Sequence, residues 1–166
     1  DALPVGFARD PRPGGAFGPM VGMTCAACHT SDIEAGGVRI RIDGGASQAD
    51  YQLFMKRLSQ ALDATLADPA KFQRFAARLV AADQKQVRPG LEAVAAQIRQ
   101  LEAVSWTPVP YGRGRLDAFG HILNAVAAEA LDEPANFRIP DAPVSYPFLW
   151  TTPSQRYVQW NGVAGN

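Results

Sequence analysis

Both cysteines of the chain and one of its two histidines fall within eight residues, TCAACHTS. No other feature constrains the fold as strongly. Whatever Cys25, Cys28 and His29 hold, the rest of the chain must wrap around it. A structural zinc site needs four ligands, usually two such pairs. Only His121 remains to add a nitrogen, so carboxylates would have to complete the set. A redox dithiol of the thioredoxin kind sits at a helix start after a strand, within a βαβ unit. Here the chain before Cys25 is rich in proline and glycine, with PRPGGAFGPM at its centre. A pair of inert buried thiols would explain the cysteines but not the adjoining histidine.

Covalent haem uses all five positions of C-A-A-C-H. The two thiols add across the two vinyl groups of one porphyrin edge, and two intervening residues put the sulfurs one helical turn apart. The next residue, histidine, then reaches the iron. This choice uses both thiols and leaves none to oxidise. One covalent haem c is therefore the expected cofactor, with Cys25 and Cys28 as attachment residues and His29 as proximal ligand. Such haem is attached outside the cytoplasm, so a bacterial periplasm or the cell exterior is the expected compartment.

The length of 166 residues suits a single domain. Lysine plus arginine and aspartate plus glutamate both number 16, which gives no basic excess for a nucleic-acid partner. No apolar run reaches the ~20 residues that span a bilayer. With 15 glycines and 13 prolines, long irregular loops are expected. The opening DALPVGFARD has no initiator methionine or apolar signal core. The expectation is an end made by cleavage, or a fragment or subunit of a larger protein.

Residues 1–22 read as a loop arm, and 23–131 as a helical haem-binding core. Within the core, GGVRIRIDGG alternates Val38, Ile40 and Ile42 with arginines, as a short β arm does. A helix is expected from Ser47 as N-cap, with Tyr51, Phe54, Met55, Leu58, Leu62 and Leu66 on its apolar face. Asp68 followed by Pro69 predicts a second helix start. A third stripe runs through Leu91, Val94, Ala95, Ile98 and Leu101. A fourth helix is expected through RLDAFGHILNAVAAEAL, packed on Leu116, Phe119, Leu123 and Val126. Residues 132–166 read as an aromatic-rich extended tail. The expected class is a mainly α, cytochrome c-type haem domain with a short β arm and long loops.

The other face of the iron decides what the haem does. No methionine follows Met55, which sits in an apolar stripe and reads as core. Met20 and Met23 lie too close to Cys25 to reach the opposite face without a sharp wrap. His121 stands about 160° around its helix from the apolar stripe and shares a side with Asp117 and Asn124. It reads either as a hydrogen-bonded polar residue or as a distal ligand. With no compelling sixth ligand, an open iron that binds peroxide or dioxygen is one expectation. A closed mono-haem electron carrier, or a haem subunit that docks on a dehydrogenase and drains its electrons, is the other. Arg113 and Arg115 are candidates to pin haem propionates. Trp150 and Trp160, among the late aromatics, are candidates to line a haem cavity.

Several stretches together, VGMTCAACHT, IRIDGGAS, DPAKFQRFAARL, YGRGRLDAFGHILN and APVSYPFLWTTPSQRYVQWNG, give a more specific signal. They resemble the N-terminal haem region of bacterial di-haem cytochrome c peroxidase-like proteins, the group that includes the rubber oxygenase. The resemblance covers about residues 3–162. It implies a periplasmic or secreted redox enzyme in which one haem binds the oxidant and another relays electrons. By position it assigns Cys25 and Cys28 to the thioethers, His29 to the iron, and the region of Trp150 and Trp160 to the distal surroundings. This chain departs from the pattern in lacking a second CxxCH. The expected partners are an electron donor or acceptor protein and a second chain or domain carrying another haem.

Overall fold

The computed structural model describes residues 3–10, 20–79, 83–158, 162, 164 and 165. The chain divides into two compact units: residues 1–49 with 145–166, and residues 50–144.

The first unit is built on antiparallel ribbons. Strand β1 (Phe7–Asp10) pairs with β2 (Met20–Met23), in register Phe7↔Met23 to Asp10↔Met20. A single 3₁₀ turn, Cys25–Ala27, follows. Strand β3 (Thr30–Ala35) then pairs with β4 (Val38–Asp43), with Ile33 opposite Ile40. Gly36 and Gly37 join them at φ of +58° and +77°. Both central residues of a tight hairpin turn need positive φ, which glycine adopts without steric cost. Near the end of the chain, Tyr157–Val158 pairs briefly with Ala164–Gly165.

The second unit is helical. Helix α1 (Tyr51–Ala67) packs against α2 (Pro69–Ala77) and α3 (Gln84–Val104). Met55 of α1 is buried, as are Val87, Leu91, Ala95 and Val104 of α3. The break between α1 and α2 follows the expected chemistry. Asp68 accepts from the amides of Ala70 (2.8 Å) and Lys71 (3.2 Å), and Pro69 takes the first helical position. These amide bonds, led by that of Lys71, hold the Asp68 carboxyl below its usual range. Among the described residues, no helix is long and apolar enough to cross a membrane.

The expected mainly α, cytochrome c-type class is corrected by the strands. Among the described residues there are four α-helices and several small two-stranded sheets, a mixed α/β structure. Part of the stretch read as a loop arm is β1 and β2. Neither strand carries the alternating apolar pattern that marks a half-buried strand, because both remain largely exposed.

Two local expectations also shift. Helix α1 is capped by Asp50, whose carboxylate accepts from the Leu53 amide at 2.9 Å, and not by Ser47. The fourth helix, α4 (Ala118–Asn124), begins after Asp117 and continues as a π-helical turn, Ala125–Ala130. Its inner face is polar. Asn124 is 2% exposed and Asp117 is buried, whereas Leu123 and Val126 are 60% and 56% exposed. The reason is hydrogen bonding. The Asn124 amide donates to the carbonyls of Val104 (3.0 Å) and Arg138 (2.7 Å) and accepts from the Arg138 N–H (2.9 Å). It thereby satisfies backbone groups that burial would leave unpaired.

Candidate haem-attachment site

The motif sits on a frame of backbone bonds within the first unit. The Cys25 carbonyl accepts from the amides of Cys28 (3.2 Å) and His29 (3.0 Å), closing the turn. Buried Ser47 donates through its hydroxyl to Ala27 O (3.2 Å), and its N–H donates to Cys28 O (3.0 Å). The Gly44 N–H donates to His29 O at 2.9 Å. This explains why Ser47 caps no helix: it braces the motif.

Gly6 braces the motif from the other side. Its carbonyl accepts from the Thr24 N–H (2.7 Å) and hydroxyl (3.3 Å). Its φ is +85°, and a Cβ there would lie 2.4 Å from Ala27 Cα. Gly6→Ala is therefore expected to cost about 2 to 3 kcal/mol. Gly22→Ala, where a Cβ meets nothing within 4 Å, is the matched control. Urea unfolding of the two variants checks the difference.

The third element is a strap from the far end of the chain. The His29 Nδ1 lies 2.8 Å from Pro147 O. A carbonyl only accepts, so Nδ1 carries the hydrogen and the neutral ring keeps its lone pair on Nε2. Metal-ligating histidines are oriented by this kind of bond. Buried Tyr146 places its ring 6.3 Å from the imidazole, tilted by 56°. The Trp150 indole donates to Asp43 O (2.9 Å), and its ring stacks on Phe148 at 5.1 Å.

Neither cysteine is in a disulfide; Cys25 is exposed and Cys28 half-buried. Burial pushes the Cys28 thiol up, against a hydrogen bond from Tyr146; Cys25 adds to the rise. Among the described residues, no three His, Cys, Asp or Glu side chains are grouped to hold a bare metal ion. The donor set does fit a haem joined through two thioethers. It offers two thiols free of any disulfide, one turn apart, beside an imidazole whose Nε2 lone pair is left free by the Nδ1–H bond to Pro147 O.

The structure thus gathers Cys25, Cys28, His29 and Trp150 in one unit. Trp160 lies outside the described residues. Arg113 and Arg115, both exposed, belong to the other unit, as does His121. His121 Nε2 is 3.2 Å from the Tyr111 hydroxyl, its Nδ1 is 3.3 Å from Ser105 Oγ, and its ring stacks on Tyr111. Burial lowers the His121 pKa, with Asp117 opposing. The Tyr111 hydroxyl also donates to Pro140 O.

Burial, aided by Asp117 and Asp141, pushes the Tyr111 phenol up to about 12. A raised folded pKa favours the protonated form. Its contribution is whole below the unfolded value near 10 and is lost as pH climbs toward 12. Stability measured by urea unfolding is expected to fall steeply through that window, and Tyr111→Phe should flatten the fall.

Sequence reasoning placed Tyr146 among the late aromatics that could shape a haem pocket, but missed Pro147 and the bracing role of Ser47. Pro147 lies far along the chain from the motif and acts through its carbonyl, which has no sequence signature. Ser47 was legible only as a cap-forming residue.

An uncharacterized protein of Sinorhizobium fredii, y4iJ, is similar to this chain at 34% identity over 181 aligned residues. The match covers 96% of this chain but 30% of the relative's length. No known protein family matches by its sequence model, and no solved structure matches.

Proposed function

We propose that this chain is a covalent c-type haem redox protein, the oxidant-binding haem half of a peroxidase- or oxygenase-like di-haem enzyme. The observation that carries the reading is the His29 Nδ1 to Pro147 O bond of 2.8 Å beside two cysteines in CxxCH spacing, neither in a disulfide. Cys25 and Cys28 would hold the haem through thioethers formed by S–H addition across its two vinyl groups, and His29, its tautomer fixed by the Pro147 carbonyl, would hold the iron through Nε2. Trp150, in the same unit as the motif, is the aromatic offered to the haem cavity. Haem, once bound, supplies an iron that exchanges electrons and binds a small oxidant. The partners are an electron donor or acceptor protein and a second chain or domain with another haem. The compartment is a bacterial periplasm or the exterior.

The test is expression in a host that matures c-type cytochromes, followed by intact mass and absorption spectroscopy. The expected product carries one haem that survives denaturation, and its ferric form binds cyanide rapidly. A colourless product of bare polypeptide mass overturns the proposal. A haem protein with an inert low-spin spectrum is an electron carrier and ends the oxidant-binding part.

A further inference from the structure

The β3–β4 ribbon is two-sided. Successive side chains of a strand point to opposite faces. The register therefore puts Ser31, Ile33 and Ala35 on one side with Ile42, Ile40 and Val38. The other side carries Asp32 and Glu34 opposite Arg41 and Arg39. Arg41 Nε contacts Asp32 at 3.1 Å and Arg39 Nε does so at 3.9 Å, so the charged side is internally paired. The apolar side is bare: Ile33, Val38 and Ile40 are 52%, 59% and 57% exposed. A two-stranded ribbon is marginal in water unless an apolar face is covered.

The position of His29 says what covers it. The Gly44 N–H to His29 O bond extends the ribbon by one further pair beyond Thr30↔Asp43. His29, at the bend just before β3, therefore stands at the Thr30↔Asp43 end of this ribbon. The strap agrees with this placement. Pro147 O reaches the His29 ring, and a Cβ on Gly44, the partner of His29, would meet the Trp150 indole at 3.1 Å. His29 thus sits at one end of the ribbon that carries the exposed apolar residues Ile33, Val38 and Ile40.

We propose that the apolar side of the β3–β4 ribbon, carried by Ile33, Val38 and Ile40, is the wall that shields the His29 side of the haem from water. The inference rests on the covalent-haem reading. It assigns the exposed face to a large apolar plate held at its own end, because the ribbon that bears the ligand also bears the surface. An apolar shell around a metal site limits solvent access and sets its potential.

The experiment compares holoprotein of wild type, Ile33→Ser with Ile40→Ser, and an opposite-side control, Glu34→Gln with Arg39→Gln. Haem content, midpoint potential and the rate of haem bleaching by excess hydrogen peroxide are read on each. The apolar-side variant should keep its haem, shift to a lower potential and bleach several-fold faster, while the control matches wild type. Unchanged potential and bleaching at full haem content overturn the wall and leave the haem reading standing. The same holds if wild type is a dimer that the apolar-side change dissociates without moving the potential; the face then covers a second copy. A colourless wild-type protein ends both. If the double variant does not fold, Val38→Ser, next to the turn, carries the same comparison.

Discussion

Replacing Cys25 and Cys28 together by alanine should leave a folded protein from which all haem is lost on denaturing extraction. Attachment needs both sulfurs, so their removal abolishes the covalent bond outright, and non-covalent haem is the most the variant can hold. Folding does not need them. The turn is closed by the carbonyl of Cys25 and the amides of Cys28 and His29. It is braced by Ser47, Gly44 and Gly6 through backbone groups that alanine keeps. Only Cys28 loses buried volume and its Tyr146 contact, at a cost of about 1 kcal/mol. Circular dichroism should match wild type, and the extracted polypeptide should show the bare mass. Single replacements should each retain haem through one thioether. Covalent haem surviving in the double variant would place attachment elsewhere.

The largest expected effect on stability is that of Asn124→Ala. The side chain is 2% exposed and bridges the end of α3 to the coil at Arg138 through three hydrogen bonds. Alanine leaves two carbonyls and one amide without those partners and opens a small cavity. The expected loss is on the order of 3 kcal/mol, because an unpaired buried group costs its desolvation. Ile122→Ala, at a site 58% exposed on the same helix, should change stability by less than about 0.5 kcal/mol. Urea unfolding followed by circular dichroism separates the two. Equal midpoints would mean that Asn124 does not hold the unit together.

The contrast between these two positions shows what could be read from the chain and what could not. The CxxCH spacing was legible because its chemistry depends on neighbours in sequence. So was the Asp68–Pro69 helix start, where both signals act within one turn. The orientation of α4 was not legible. Periodicity turned Leu123 and Val126 inward, but the backbone groups of Val104 and Arg138 required an amide there. Their carbonyls have no signature in composition or spacing. Ser47 and Asp50 offered two caps three residues apart. The motif claimed Ser47, so the helix used Asp50. Strands β1 and β2 escaped notice because exposure on both sides removes the alternation by which strands are recognised. The Pro147 carbonyl is the largest omission for the candidate site, since nothing local ties it to His29.

The bond from His29 to Pro147 closes a loop of 118 residues. Contacts this distant form late, after shorter loops have met their smaller entropy cost. A nascent chain thus presents its cysteines and histidine long before the carbonyl that fixes the imidazole has been synthesised. Haem joined at that stage would meet a ring free to turn. On the covalent-haem proposal, the final ligand strength of His29 would arrive only when the segment around Pro147 settles.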